Sequence, residues 1–111
     1  MTRAAARRED LPSDVFRAIS DPTRRALLDR LRAKELSVAE LAAPFRMTQP
    51  AISQHLRILR EADLVRPQRV GRQQVYRLNA RPLRQVRDWA AHYERFWERK
   101  LGALGKYLDE T

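Results

Sequence analysis

Thr48, Gln49, Ser53, Gln54, His55 and Arg57 fall within ten consecutive positions. On a helix, Gln49, Ser53, Gln54 and Arg57 lie away from the apolar stripe Ile52, Leu56 and Leu59, with His55 close by. Gln bonds adenine through two hydrogen bonds, Arg bonds guanine in the same way, and Ser or Thr bonds bases or phosphates. Gln49, Ser53, Gln54 and His55 are therefore the candidates for base edges. Thr48, Arg57 and Arg60 are the candidates for phosphates, helped by the free N–H groups of the first helical turn.

Other chemistry is poorly supplied. The chain has two His and no Cys, so an acid–base pair would need His55 or His92 with a carboxylate. Neither His stands in a phosphate-cradling or nucleophile motif, and no enzyme activity is expected. Asp88 and His92, with Glu94 or Glu98, are the weak candidates for a metal. Tetrahedral zinc needs about four ligands, and Arg95 occupies the position three after His92. His92 is accordingly read as a surface or interface residue, and neither metal nor cofactor is expected.

Composition sets the frame around these residues. A chain of 111 residues fits one domain. Without Cys there is no disulfide framework and no thiolate metal site. No apolar run approaches the roughly 20 residues that cross a bilayer, and Met1 to Asp10 lack the apolar segment of a secretory signal. A cytoplasmic protein without a membrane partner is expected. The net charge of +9 points to a polyanion, and its distribution sharpens this. Residues 48–79 carry six basic and two acidic side chains, a net +4 against +3 over residues 1–47 and +2 over residues 80–111.

The elements that must position the candidates follow from punctuation and period. Residues 1–12 read as an N-terminal arm. Ser13 opens a short helix with Val15, Phe16, Ala18 and Ile19. Asp21-Pro22 starts a second helix, with Ala26, Leu27, Leu28 and Leu31 on one face. Ser37-Val38-Ala39-Glu40 is a capping box opening a third, short helix that Pro44 limits. Thr48 caps a fourth, running from Gln49 to about Ala62. From Leu64 the period changes to two. Val65–Val70 and Gln73–Leu78 read as a hairpin around Gly71-Arg72, with Pro67 favouring an edge. From Pro82 to about Leu108 runs one long helix, or two joined.

This order describes a mainly α fold with a small β-hairpin, a winged helix-turn-helix over residues 13–81. Residues 82–111 add a C-terminal dimerisation helix to the same compact domain. In such a unit the second helix of the pair enters the major groove of DNA, and the hairpin tip lies on the backbone or a minor groove. Arg69, Arg72 and Arg77 are the wing candidates. Leu83, Val86, Trp89, Ala90, Tyr93, Phe96, Trp97, Leu101 and Leu104 form an apolar stripe longer than one small domain can cover, and with Phe16 of the first helix packed beside it are assigned to the dimer interface.

From Phe16 to Leu78 the sequence resembles the ArsR-type family of bacterial regulators. The matching residues are Ala18 to Arg25 with Leu27-Leu28, Leu36 to Leu41, Gln49 to Leu56, Leu59 with Glu61 to Val65, and Gly71-Arg72 with Tyr76-Arg77-Leu78. The resemblance implies a homodimeric transcriptional repressor that binds a pseudo-palindromic DNA operator. Metal-sensing relatives carry paired thiolates where this chain has Ser37 and Ala39, so that mechanism is not expected here. Asp63 stands where the family most often has Gly, and Asp also tolerates the left-handed backbone. Two other readings remain open. One is a metal- or small-molecule-responsive sensor using the C-terminal helix; the other is a winged-helix module that binds protein.

Overall fold

The computed structural model describes residues 13–98. The N-terminal arm and the interface candidates Leu101 and Leu104 lie outside them. The elements follow in the order α1 (Ser13–Ile19), α2 (Pro22–Leu31), β1 (Leu36–Ser37), α3 (Val38–Ala42), α4 (Gln49–Glu61), β2 (Val65–Val70), β3 (Gln73–Leu78) and α5 (Arg84–Ala91). A 3-10 turn, Arg81–Leu83, leads into α5.

Helices α2, α3 and α4 start where their caps dictate. Asp21 has extended backbone, and its carboxylate accepts from the Arg24 N–H, with Pro22 in the first turn. Ser37 and Glu40 complete both bonds of the capping box at 3.2 and 2.9 Å. Thr48 accepts from the Ala51 N–H at 3.2 Å. Helix α3 ends at Ala42, two residues before Pro44.

Leu27, Leu41, Ile52, Leu56, Leu59, Leu64 and Val65 are fully buried in one core that every helix through α4 shares. Burying each such side chain stabilises the fold by about 1.5–3 kcal/mol. Ile52, Leu56 and Leu59 fix which side of α4 faces inward and so which side faces water.

The sheet has one strand more than the periodicity predicts. Leu36 pairs with Tyr76 and Ser37 with Val75, so the strand order is β1-β3-β2. Two residues are too few to show alternation, which is why β1 is silent in the sequence. Pro67 lies in β2, an edge strand, where its missing N–H costs no ladder bond. Gly71 takes φ +62° at the hairpin turn, a conformation open to Gly.

Where one long helix or two joined was expected, the described C-terminal residues form two helical segments joined by a turn. Helix α5 stops at Ala91, His92 and Tyr93 form a turn, and residues 94–98 are helical again. The Trp89 carbonyl is approached by both the His92 N–H at 3.2 Å and His92 Nδ1 at 3.1 Å. The Tyr93 N–H bonds Ala90 at 2.9 Å instead of reaching back four residues to Trp89. The local spacing is thus that of a tighter 3-10 turn. Residues 99–108 of the expected helix lie outside the described residues.

Candidate nucleic-acid interface

Helix α4 presents Gln49, Ser53, Gln54, Arg57 and Arg60 on its exposed side. Gln49, Ser53, Arg57 and Arg60 follow one another at steps of four, four and three, a ridge running along the helix. The Thr48 hydroxyl is engaged as the cap acceptor and keeps its O–H as a donor. Arg57 forms an exposed ion pair with Glu61 at 3.2 Å, which a phosphate can displace because such surface pairs contribute little.

His55 departs from this exposed row. Its side chain is 19% exposed, and Nδ1 lies 3.2 Å from Arg24 Nη1 and 3.9 Å from Asp21 Oδ2. The ring flanks the core stripe and turns towards the start of α2. The same guanidinium donates to Ala18 O at 2.7 Å and Arg17 O at 3.1 Å at the end of α1. Arg24 therefore ties α1 to α4. The Arg24 backbone N–H holds the Asp21 carboxyl below its usual pKa. The motif Ala18 to Arg25 contains Arg24 without marking its task, because its side-chain partners Arg17, Ala18 and His55 are met only on folding.

The hairpin supplies the second half of the surface. Arg72 sits at the turn, and Arg69 and Arg77 are exposed. In register, Arg69 faces Gln74 and Arg66 faces Arg77, so Arg69 and Arg77 lie on opposite faces of the ribbon. Arg66 is neutralised by Asp63, whose two oxygens accept from it at 3.2 and 3.1 Å. That pairing lowers the pKa of Asp63 and raises that of Arg66. A cleft of about 160 Å³ between wing and α4 is lined by Ser37, Val38, Ala39, Gln49, Gln73 and Gln74. Gln73 and Gln74 thus join Gln49, a neighbourhood created only by folding.

The interface candidates divide. Leu83 and Val86 pack against the core of their own chain. Phe16 meets Trp89 edge-on at 5.6 Å, and Trp89 meets Tyr93 at 5.5 Å. Trp89, Tyr93, Phe96 and Trp97 remain 46–64% exposed, and Ala90 is half-buried. The two metal candidates are engaged locally: Asp88 accepts from Arg87 at 3.0 Å, and His92 approaches Trp89 O. Among the described residues no three potential ligands gather.

Comparison with known proteins points to one family. The family described as "Bacterial regulatory protein, arsR family" matches residues 21–66, from the α2 cap into β2. The transcriptional repressor SdpR of Bacillus subtilis is 37% identical over 81 residues, 73% of this chain and 90% of that protein. An HTH-type transcriptional regulator of Mycobacterium tuberculosis is 37% identical over 98 residues, covering 88% of this chain and 89% of its own length. A crystal structure of an ArsR family transcriptional regulator superposes with a TM-score of 0.68 at 35% identity, over 77% of this chain and 93% of that one. The chain belongs to the arsR family of bacterial regulatory proteins.

Proposed function

We infer that this protein is a DNA-binding transcriptional repressor that works as a homodimer on a pseudo-palindromic operator. The carrying observation is the exposed polar ridge of α4, capped by Thr48 and flanked by an arginine-tipped hairpin. In this reading Gln49, Ser53 and Gln54 address base edges in the major groove. Thr48, Arg57 and Arg60 hold phosphates on either side. Arg72 at the wing tip, with Arg69 and Arg77 on the two ribbon faces, grips the backbone beyond. His55, turned inward, is taken out of the base-reading group.

The dimer reading rests on the run of exposed aromatic rings from Trp89 to Trp97, an apolar patch that invites a symmetric partner. Residues 13–81 then form the DNA-binding unit and 82–111 the dimerising one. A two-fold dimer places its two α4 helices on half-sites a helical turn or more apart. Repression follows by occluding polymerase, in the cytoplasm. The relatives are transcriptional regulators, and nothing in the chemistry of the site calls for an enzyme.

Selection of bound fragments from a genomic pool, followed by salt titration of the selected duplex, tests this reading. A short inverted repeat, bound more weakly as salt rises, is the expected result. No enriched sequence, or binding insensitive to salt, would overturn it.

A further inference from the structure

We infer that Arg24 is a positioning residue for DNA binding: it holds His55 with its Nε2–H outward, as a donor to a backbone phosphate oxygen. This rests on the DNA-binding reading above.

A guanidinium has donors only, so at 3.2 Å from Arg24 Nη1 the His55 Nδ1 must be the acceptor. The ring is then the neutral tautomer with its proton on Nε2. Among the described residues, the buried side-chain nitrogen or oxygen left without a partner is Arg30 Nε alone. His55 Nε2 is not such an atom, so it reaches solvent; the ring's hydrogen bond is made by Nδ1 to Arg24, with Asp21 Oδ2 at 3.9 Å, beyond bonding distance. The ring is packed on one side and carries one free N–H on the other.

Arg24 is itself held from four directions. Its side chain donates to Ala18 O and Arg17 O, its backbone N–H is capped by Asp21, and Nη1 meets His55. The His55 rotamer and tautomer are therefore set before DNA arrives, so little ordering cost falls on binding.

A lone neutral donor on the half-buried flank of α4 cannot make the paired bonds that identify a base. It suits a phosphate oxygen, next to the base-facing Gln54. This contact has its own signature. Being uncharged, it releases no counterion, so its loss weakens binding on every sequence without changing the salt dependence. Loss of Arg72 would change the salt dependence, and loss of Gln54 would change the base preference.

The test uses the full chain with the genomic fragment it selects and a random duplex of equal length. Nitrogen-15 NMR of the two imidazoles, assigned with His92→Gln, is expected to show His55 as the Nε2–H tautomer. His55→Phe should bind both duplexes about tenfold more weakly at an unchanged salt slope. Arg24→Met should lose as much and mix the tautomers, and the double variant should lose no more than either. Arg24→Lys, which still donates to Nδ1, should recover most of the affinity. If Arg24→Met does not fold, the tautomer and the His55→Phe affinities decide the matter. A proton on Nδ1, additive losses, or unchanged binding by His55→Phe would overturn the inference while DNA binding stands. A wild-type protein that binds neither duplex would overturn both.

Discussion

Asp63 and Arg66 form a two-bond clamp where the chain leaves α4 for the wing, with Arg66 Nε and Nη2 each bonding one carboxylate oxygen. Asp63 also sits at φ 59°, where a Cβ crowds the backbone. Asn79 donates to the Asp63 carbonyl at 2.7 Å and closes the junction from the far end of β3. The carboxylate further offsets the like charges of Arg66 and Arg77, which face each other across the ladder. Asp63→Ala keeps the crowding and loses the clamp, whereas Asp63→Gly loses both. Melting followed by circular dichroism should rank wild type above Asp63→Gly, and Asp63→Gly above Asp63→Ala. An Ala variant as stable as wild type would remove the clamp from this account.

Acid should weaken the fold through three carboxylates. The Arg24 N–H lowers the pKa of Asp21, the Ser37 N–H that of Glu40, and the Arg66 guanidinium that of Asp63. Each group binds its proton more weakly folded than unfolded, so the unfolded chain takes up more protons as pH falls. The stabilisation is complete above the ordinary carboxylate range of about 4 and is lost as pH falls through the lower folded values. Tm should hold steady from neutral pH to about 5 and drop below about 4. Glu40→Gln, which keeps a capping-box side chain but does not titrate, should start lower and fall less steeply. Parallel curves for the two proteins would contradict the assignment.

What the sequence announced, and what it did not, separates by range. Asp21-Pro22, Ser37 to Glu40 and Thr48 act within one helical turn, so the helix starts were readable from residue type alone. The period of Ile52, Leu56 and Leu59 gave the orientation of α4 and hence its exposed ridge. Strand β1, the Arg24–His55 bond and the meeting of Gln49 with Gln73 and Gln74 join residues more than twenty apart. No local pattern encodes such a meeting. The position of the turn at His92 is unmarked for another reason: the apolar stripe continues through it, and the competing bond to the Trp89 carbonyl leaves no trace in periodicity.

Base reading and backbone grip should come apart on mutation. Gln54 is exposed beside the α4 ridge, and Arg72 is exposed at the hairpin turn. Gln54→Ala is expected to cost about 1–3 kcal/mol on the preferred sequence, little on a random duplex, and to relax the choice at one base pair. Arg72→Ala should weaken binding on all sequences and reduce the salt slope by about 1. Affinity titrations of both variants at several salt concentrations check this. An equal loss on every sequence for Gln54→Ala would sink its base-reading role.

The aromatic face should govern assembly. Trp89 leans on Phe16 within its own chain, so its removal would mix folding with association. Trp97 is cleaner: it is 48% exposed and has no ring partner among the described residues. Truncating a central interface Trp commonly costs about 2–4 kcal/mol, roughly a thirtyfold to thousandfold weaker association. Sedimentation equilibrium of Trp97→Ser should therefore show monomer at concentrations where the wild type is dimeric, with the melting of the winged-helix core little changed. DNA affinity should fall far more on a two-half-site duplex than on a single half-site, because only the dimer engages both halves at once. A Trp97→Ser protein that remains dimeric and binds the double site undiminished would show that this face does not join the subunits.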